Sequence, residues 1–247
     1  MIKILTIITL LITPIAFAQK EYVFDYQLEY DVSYISDSLY SPVSGQKRDD
    51  RKIKKTYITN SKDNSYHLYV TEKDSVYFRL VFRDYENGSY MSVFMTKEDF
   101  LKVDIINVDC KHLINFGLKF PSFYKPRHYQ IKNLEDSLIN GSSFSRYQFK
   151  AKKFKRKRLH QEVYIIDPTS ISHLPLFINR THYNLWKKSK NIKEHVHIEK
   201  EFINEENRVW SNEKLKTIKK RKLIVRIPEG CLDGFKKSLK NIRLSTG

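Results

Sequence analysis

The segment Glu194-His195-Val196-His197-Ile198-Glu199-Lys200-Glu201 carries the densest run of metal-capable and acid–base side chains in the sequence. Read as a strand, it puts His195, His197, Glu199 and Glu201 on one face, because side chains alternate sides with a period of two. Imidazoles two residues apart with carboxylates beside them can chelate zinc or a similar ion, so His195, His197 and Glu199 are the candidate metal ligands. Such sites usually draw further ligands from elsewhere in the fold, and His160, His173 and His182 are the imidazoles closest in sequence. The plainer reading of the same residues is the wet face of a strand whose Val196 and Ile198 look into a core.

A second cluster is electrostatic. Lys150, Lys152, Lys153, Lys155, Arg156, Lys157 and Arg158 place seven cations within nine residues, with Phe149 and Phe154 interleaved. Several Lys and Arg side chains together neutralise phosphates, and an aromatic can stack or insert at an interface, so the run fits an anionic membrane surface or an acidic glycan. Nucleic acid is disfavoured because the chain looks exported, and a solvated hairpin loop is the bland alternative. There is no GxSxG elbow, no HExxH, no phosphate-binding Gly-rich loop and only seven glycines in all. No catalytic residue is assigned and no cofactor is called for. Asp-Ser-Leu at 37–39 and 136–138, and Asp-Ser-Val at 74–76, are similar to acceptor motifs for bacterial O-glycosylation, although Asp-Ser is also ordinary turn chemistry.

The export reading comes from the opening residues. Lys3, an apolar run from Ile4 to Ile15 broken by threonines and Pro14, and Ala16-Phe17-Ala18 form the pattern of a cleavable signal peptide over residues 1–18. The run is shorter than the roughly 20 residues that span a bilayer. No Cys follows the small residues, so no lipid anchor is expected and the product is periplasmic or secreted. Residues 19–247 then form a single β-rich domain. The whole sequence carries 45 Lys and Arg against 28 Asp and Glu, a net charge of +17. Such a surface attracts polyanions without choosing among them. Cys110 and Cys231 make a disulfide in an oxidising compartment one option, and two buried thiols the other.

The elements that must position these groups are mostly strands. Tyr22, Phe24, Tyr26, Leu28, Tyr30, Val32 and Tyr34 occupy every even position, which predicts one long strand with a greasy face. Shorter strands follow at 54–59, 66–70, 76–82 and 90–95, with hairpin turns at 72–75 and 87–88 and a long exposed loop at 36–52. Thr96 looks like the cap of a short helix, and 110–129 like an irregular crossing that packs Phe116, Phe120, Phe123 and Tyr124. Strands are expected at 144–149 and 161–166, and a helix capped by Thr181 at 181–190. A hairpin over 194–211, a turn or short helix around Leu215 and Ile218, and a last strand through Leu223, Val225 and Ile227 lead to a basic amphipathic helix at the C-terminus. The fold class is therefore α+β and β-rich: a curved antiparallel sheet, open and barrel-like, covered by a few short helices.

The Tyr-x-Phe-x-Tyr-x-Leu-x-Tyr opening strand, Arg146-Tyr147-x-Phe149, and Val163-Tyr164-Ile165-Ile166-Asp167-Pro168 followed by Leu174-Pro175 resemble uncharacterised exported proteins of Gram-negative bacteria with a lipoprotein-carrier layout of the LolA/LolB type. The resemblance implies a curved sheet wrapped around an apolar cavity and places no catalytic residue. It points to a non-enzymatic protein that binds an apolar or amphipathic, lipid-like ligand. Phe24, Tyr26, Leu28, Phe78, Leu80 and Phe82 are the candidate lining, or equally an ordinary solid core. The alternatives are an envelope module docking on anionic lipid or glycan through Lys150 to Arg158 and the C-terminal helix, and a secreted metal-dependent hydrolase using the acid–histidine strand.

Overall fold

The computed structural model describes residues 19–34, 53–115, 129–152, 161–190, 192, 194–204 and 207–232. The signal segment, the loop at 36–52, the aromatic crossing at 116–128, positions 153–158 of the basic run and the C-terminal stripe beyond Leu232 lie outside the described residues.

Among the described residues, twelve strands form one open sheet. They are β1 (Gln19–Tyr34), β2 (Ile53–Thr59), β3 (Tyr66–Glu72), β4 (Tyr77–Asp84), β5 (Ser89–Thr96), β6 (Ile105–Asn107), β7 (Leu113–Asn115), β8 (Tyr129–Ile139), β9 (Ser142–Ala151), β10 (Gln161–Ile166), β11 (His197–Ile203) and β12 (Val209–Pro228). Their order is β7-β5-β4-β3-β2-β1-β12-β11-β10-β9-β8, with β6 alone pairing in parallel, against β12. Among the described residues the sheet does not close into a barrel, and three short helices accompany it, which is the β-rich open architecture expected from the sequence. The helix α1 (Lys97–Lys102) starts where Thr96 accepts from the Asp99 N–H, as its capping pattern predicts.

Curvature follows from β1 and β12. On β2–β5, Ile58, Leu68, Phe82 and Met91 are cross-strand partners and share one face, while Tyr57 and Tyr69 share the other. Leu28 pairs with Tyr57 and lies on the second face. Phe24 projects from the same side of β1, yet it packs against Tyr66, which belongs to the first face. One side of β1 thus serves both faces of β2–β5, because the β1–β12 ribbon bends at the register shift between Phe24 and Tyr26. The result is two cores. The outer core holds Tyr22, Phe24, Ile58, Leu68, Leu80, Phe82, Leu223 and Val225 under α1 and β6. The inner core, on the Leu28–Tyr57 side, is covered by residues 171–178 and by the helix α2 (Arg180–Ser189).

Three expectations need correction. Leu215 and Ile218 do not mark a helix or turn, and the second arm of the 194–211 hairpin and Leu223 to Ile227 are not separate strands: from Val209 onward they all sit on the continuous twenty-residue β12. A bulge opposite Glu29 and Tyr30 inserts one residue, so two inward side chains fall three apart and imitate helical spacing. The crossing expected from Cys110 to Tyr129 opens with the 3-10 turn Cys110–His112 and β7, and β8 begins at Tyr129. The cap of α2 is Asn179, whose side chain accepts from the His182 N–H, and Thr181 lies inside the first turn. Cys110 and Cys231 form a disulfide that ties the 3-10 turn to the residues just after β12.

Candidate functional site

The inner face of the sheet is not a plain apolar core. Lys200 on β11 and Glu213 on β12 are direct cross-strand partners, and neither side chain is exposed at all. Lys200 Nζ lies 2.7 Å from Glu213 Oε2. From β2, Lys55 reaches across β1 and donates to Glu213 Oε1. Burial alone would push the Glu213 carboxyl up, but the ammonium groups of Lys200 and Lys55 outweigh it and hold it down at about 2. The carboxylate is therefore ionised and bridges two cations. Removing charges from water is costly, and such a cluster is weak evidence for stability on its own account.

Aromatic rings and imidazoles enclose this cluster. Tyr30 stacks on His197 with centroids 4.9 Å apart and donates its hydroxyl to the His197 carbonyl at 3.0 Å. Tyr164 meets the same imidazole edge-on at 5.2 Å. Tyr57 packs on Tyr30 at 5.7 Å, on His67 at 6.0 Å and on Tyr69 at 5.1 Å. Burial, together with the Glu213 carboxylate, keeps the phenols of Tyr30 and Tyr57 well above their usual range. Burial and the nearby Lys200 charge push His197 down to about 3. His67 is also held well below its usual range, by burial and by the charges of Arg83 and Lys200. Both rings are neutral near pH 7, both are buried, and the Nε2 of each has no hydrogen-bond partner.

Beside this group, Tyr164 donates to Glu162 Oε2 at 2.6 Å, and His182 Nδ1 lies 3.5 Å from the same oxygen. Burial opposes ionisation of Glu162, but His182, Lys200 and the phenol bring it down to about 2. On the other side the cluster approaches the surface through aromatics. The Lys200 ammonium is 4.6 Å from the Phe202 ring centroid, Phe202 is 5.6 Å from Trp210, and Trp210 stacks on Tyr34 at 6.1 Å. Phe202, Ser211 and Tyr34 form one row on the inner face, next to the row that holds Lys200 and Glu213. Tyr34, Tyr69, Phe202 and Trp210 are half-buried, and Lys55 keeps 18% of its side chain exposed. A groove of about 370 Å³ lies elsewhere, beside the β12 bulge, lined by Asp31, Val32, Ser33, Lys214, Leu215 and Lys216.

The positions singled out from sequence separate. His195 precedes β11, with Nδ1 3.3 Å from the Ile171 carbonyl. The β11 register slips between its first residues, so His197 turns inward while Glu199 faces outward to Asn212 and Lys214; the expected single face of His195, His197, Glu199 and Glu201 is not formed. Among the described residues no three His, Cys, Asp or Glu side chains gather as metal ligands would. Phe24, Phe78, Leu80 and Phe82 belong to the outer core, whereas Tyr26 and Leu28 belong to the inner one. Lys150 and Lys152 end β9 and begin the connection to β10. Sequence reasoning passed over Lys55, His67, Lys200 and Glu213. The only signal was a charge at an inward strand position: Lys200 is in phase with Val196 and Ile198, while the register shifts of β12 against β1 concealed the phase of Glu213.

No family model matches the sequence, and no curated protein matches it. Solved structures do. A chain of the Pseudomonas aeruginosa MucA/MucB complex is 7% identical with a TM-score of 0.36, over 79% of this chain and 51% of that one. This chain thus spans about half the length of that relative. A LolA superfamily protein from Nitrosomonas europaea is 9% identical with a TM-score of 0.31, over 81% and 87%. A DUF1329 family protein from Desulfovibrio piger is 8% identical with a TM-score of 0.31, over 82% and 86%. These are weak likenesses of fold, and no function is carried over from them.

Proposed function

We propose that this chain is an exported, non-enzymatic binding protein that holds an apolar or amphipathic, lipid-like ligand against the inner face of its curved sheet. The observation that supports this reading is the gradient across that face. Half-buried Tyr34, Tyr69, Phe202 and Trp210 lead to a buried Lys200–Glu213–Lys55 cluster flanked by unpartnered His67 and His197 nitrogens. A protein that only needed a core would gain more from apolar residues at these positions. Tyr26 and Leu28 are the members of the original apolar set that can contribute to the lining on this side. The 1–18 segment supports export, and no helix among the described residues is long and apolar enough to cross a membrane.

The test is extraction of the folded, exported protein with organic solvent, followed by mass spectrometry. The expected result is an amphipathic molecule recovered near one per chain, or saturable uptake of added single-chain lipid by the extracted protein. An empty extract together with no uptake overturns the reading.

A further inference from the structure

The Asp-Ser-aliphatic tripeptides of the sequence meet different fates in the fold. Asp37-Ser38-Leu39 lies outside the described residues. Asp136-Ser137-Leu138 is built into β8, where Ser137 is half-buried and paired with Phe144, and the Asp136 carboxylate accepts from the Ser143 hydroxyl at 3.2 Å. Seating that tripeptide in an enzyme would mean lifting a paired strand out of the sheet. Asp74-Ser75-Val76, by contrast, forms the turn between β3 and β4, and all three residues are exposed. Asp74 Oδ1 accepts the N–H groups of Val76 and Tyr77 at 2.9 and 2.8 Å, and the Val76 carbonyl accepts from the Lys97 N–H at 2.8 Å, so the turn is fixed without unfolding either strand. The Tyr77 and Val76 N–H groups also hold the Asp74 carboxyl below its usual range, so it is ionised. The turn accounts for Asp74 Oδ1 and for nothing else in the tripeptide. Among the described residues neither Asp74 Oδ2 nor the Ser75 hydroxyl has a hydrogen-bond or ion-pair partner, and 54% of Val76 is open to water.

The surface beside this hydroxyl is aromatic. Tyr77 and Phe94 project from one side of the β4–β5 pair and are 40% and 55% exposed, with Lys73 Nζ 4.2 Å from the Phe94 ring centroid and 5.8 Å from that of Tyr77. The apolar C–H faces of a sugar stack on exposed rings of this kind, and a glycan rooted next to them covers apolar surface that otherwise faces water. We propose that Ser75 is an O-glycosylation site, with Asp74 and Val76 as the flanking residues that the transferase reads and Tyr77 and Phe94 as the surface on which the attached sugar lies. The chain is the acceptor, and the donor is a diphosphate-activated glycosyl group. Ser75 Oγ bonds to the anomeric carbon as the bond from that carbon to the diphosphate oxygen breaks. The bonding pair leaves with the diphosphate, and the hydroxyl proton passes to a base of the transferase. Modification of this kind requires export, which residues 1–18 support, and does not depend on what the inner face binds.

The experiment is mass spectrometry of the mature protein recovered from the envelope or medium of its native host, read on the tryptic peptide 74–79, where Ser75 is the sole serine or threonine. Expected is a carbohydrate mass on that peptide in most molecules, removed by β-elimination and absent in Ser75→Ala, with Ser137 unmodified. Asp74→Asn keeps an oxygen for the two turn N–H groups and removes only the charge. It should lower occupancy at least tenfold while the urea midpoint stays that of the parent, an effect that a merely structural Asp74 would not produce. Parental occupancy in Asp74→Asn overturns Asp74 as a recognition residue and leaves Ser75 as the acceptor. An unmodified Ser75 in the recovered mature chain, or glycan confined to 37–39 or 136–138, overturns the site and leaves the binding reading intact. A chain that retains residues 1–18 and carries no glycan overturns both the site and the export on which it depends.

Discussion

Lys200 shows how a single side chain can set the character of an interior. It is fully buried between the Phe202 and Tyr164 rings, and its strand neighbour Glu213 is ionised only because Lys200 and Lys55 are there. Lys200→Met leaves a buried carboxylate with one cation, and should cost about 3–5 kcal/mol in a urea unfolding series. Lys200→Met combined with Glu213→Leu should recover most of that loss, because the charges leave together. The acid response follows from the same groups. His197 protonates near pH 3 in the fold but around 6.5 when unfolded, and His67 and His173 are shifted in the same direction. Below 6.5 the unfolded chain therefore binds more protons, and stability falls as pH falls. Below 4.5 the unfolded forms of Glu162 and Glu213 add to the loss, down to their folded values near 2. Each group contributes a slope of at most about 1.4 kcal/mol per pH unit. Urea midpoints should drop steadily between pH 7 and 4, and His197→Phe should flatten the upper part of that curve; an unchanged curve would contradict the neutral buried imidazole.

The elements show where alternation is a reliable guide and where it misleads. β1 was legible because seven apolar or aromatic residues alternate without interruption, and β2 to β5 followed from turn chemistry read at 72–75 and 87–88, where the structure turns at 73–76 and 85–88. β12 was not, because each of its two register shifts against β1 inserts one residue and stretches a spacing of two to three, between Leu215 and Ile218 and again between Lys220 and Leu223. The same kind of slip misplaced His197: alternation that turns Val196 and Ile198 inward sends Lys200 inward too, as found, but turns His197 to the wet face. β8 was missed because Lys132, Asn133, Glu135 and Asp136 make it polar on both sides, as an edge strand can be. The pairing of Cys110 with Cys231, 121 positions apart, is a fact of tertiary structure that no spacing rule reaches. Removing it by Cys110→Ser/Cys231→Ser should cost about 2–5 kcal/mol by denaturant unfolding. For α2, Asn179→Ala should cost about 1 kcal/mol through the lost cap on His182 N–H, measured the same way.

Over the whole molecule, charge is arranged by face. The outward acids of β1 meet the bases of β12, with Glu21 against Arg226 at 2.8 Å and Glu29 against Lys219 at 3.4 Å. This complementarity reinforces the register of the longest strand pair, although exposed pairs of this kind add little stability singly. The excess positive charge of the chain is thus a property of its remaining surface and of the inner cluster, and the two can be separated. Neutralising Lys150, Lys152, Lys153, Lys155, Arg156, Lys157 and Arg158 should leave ligand uptake within twofold of the parent while lowering retention on anionic vesicles, as read by co-sedimentation. The inner face itself is most directly tested by photo-crosslinking the folded, exported protein with a diazirine-bearing single-chain fatty acid and mapping the adducts by mass spectrometry. The predicted result is labelling at Tyr34, Tyr69, Phe202 or Trp210 that excess unlabelled fatty acid abolishes; competed labelling confined to the outer core or to the basic run would contradict it.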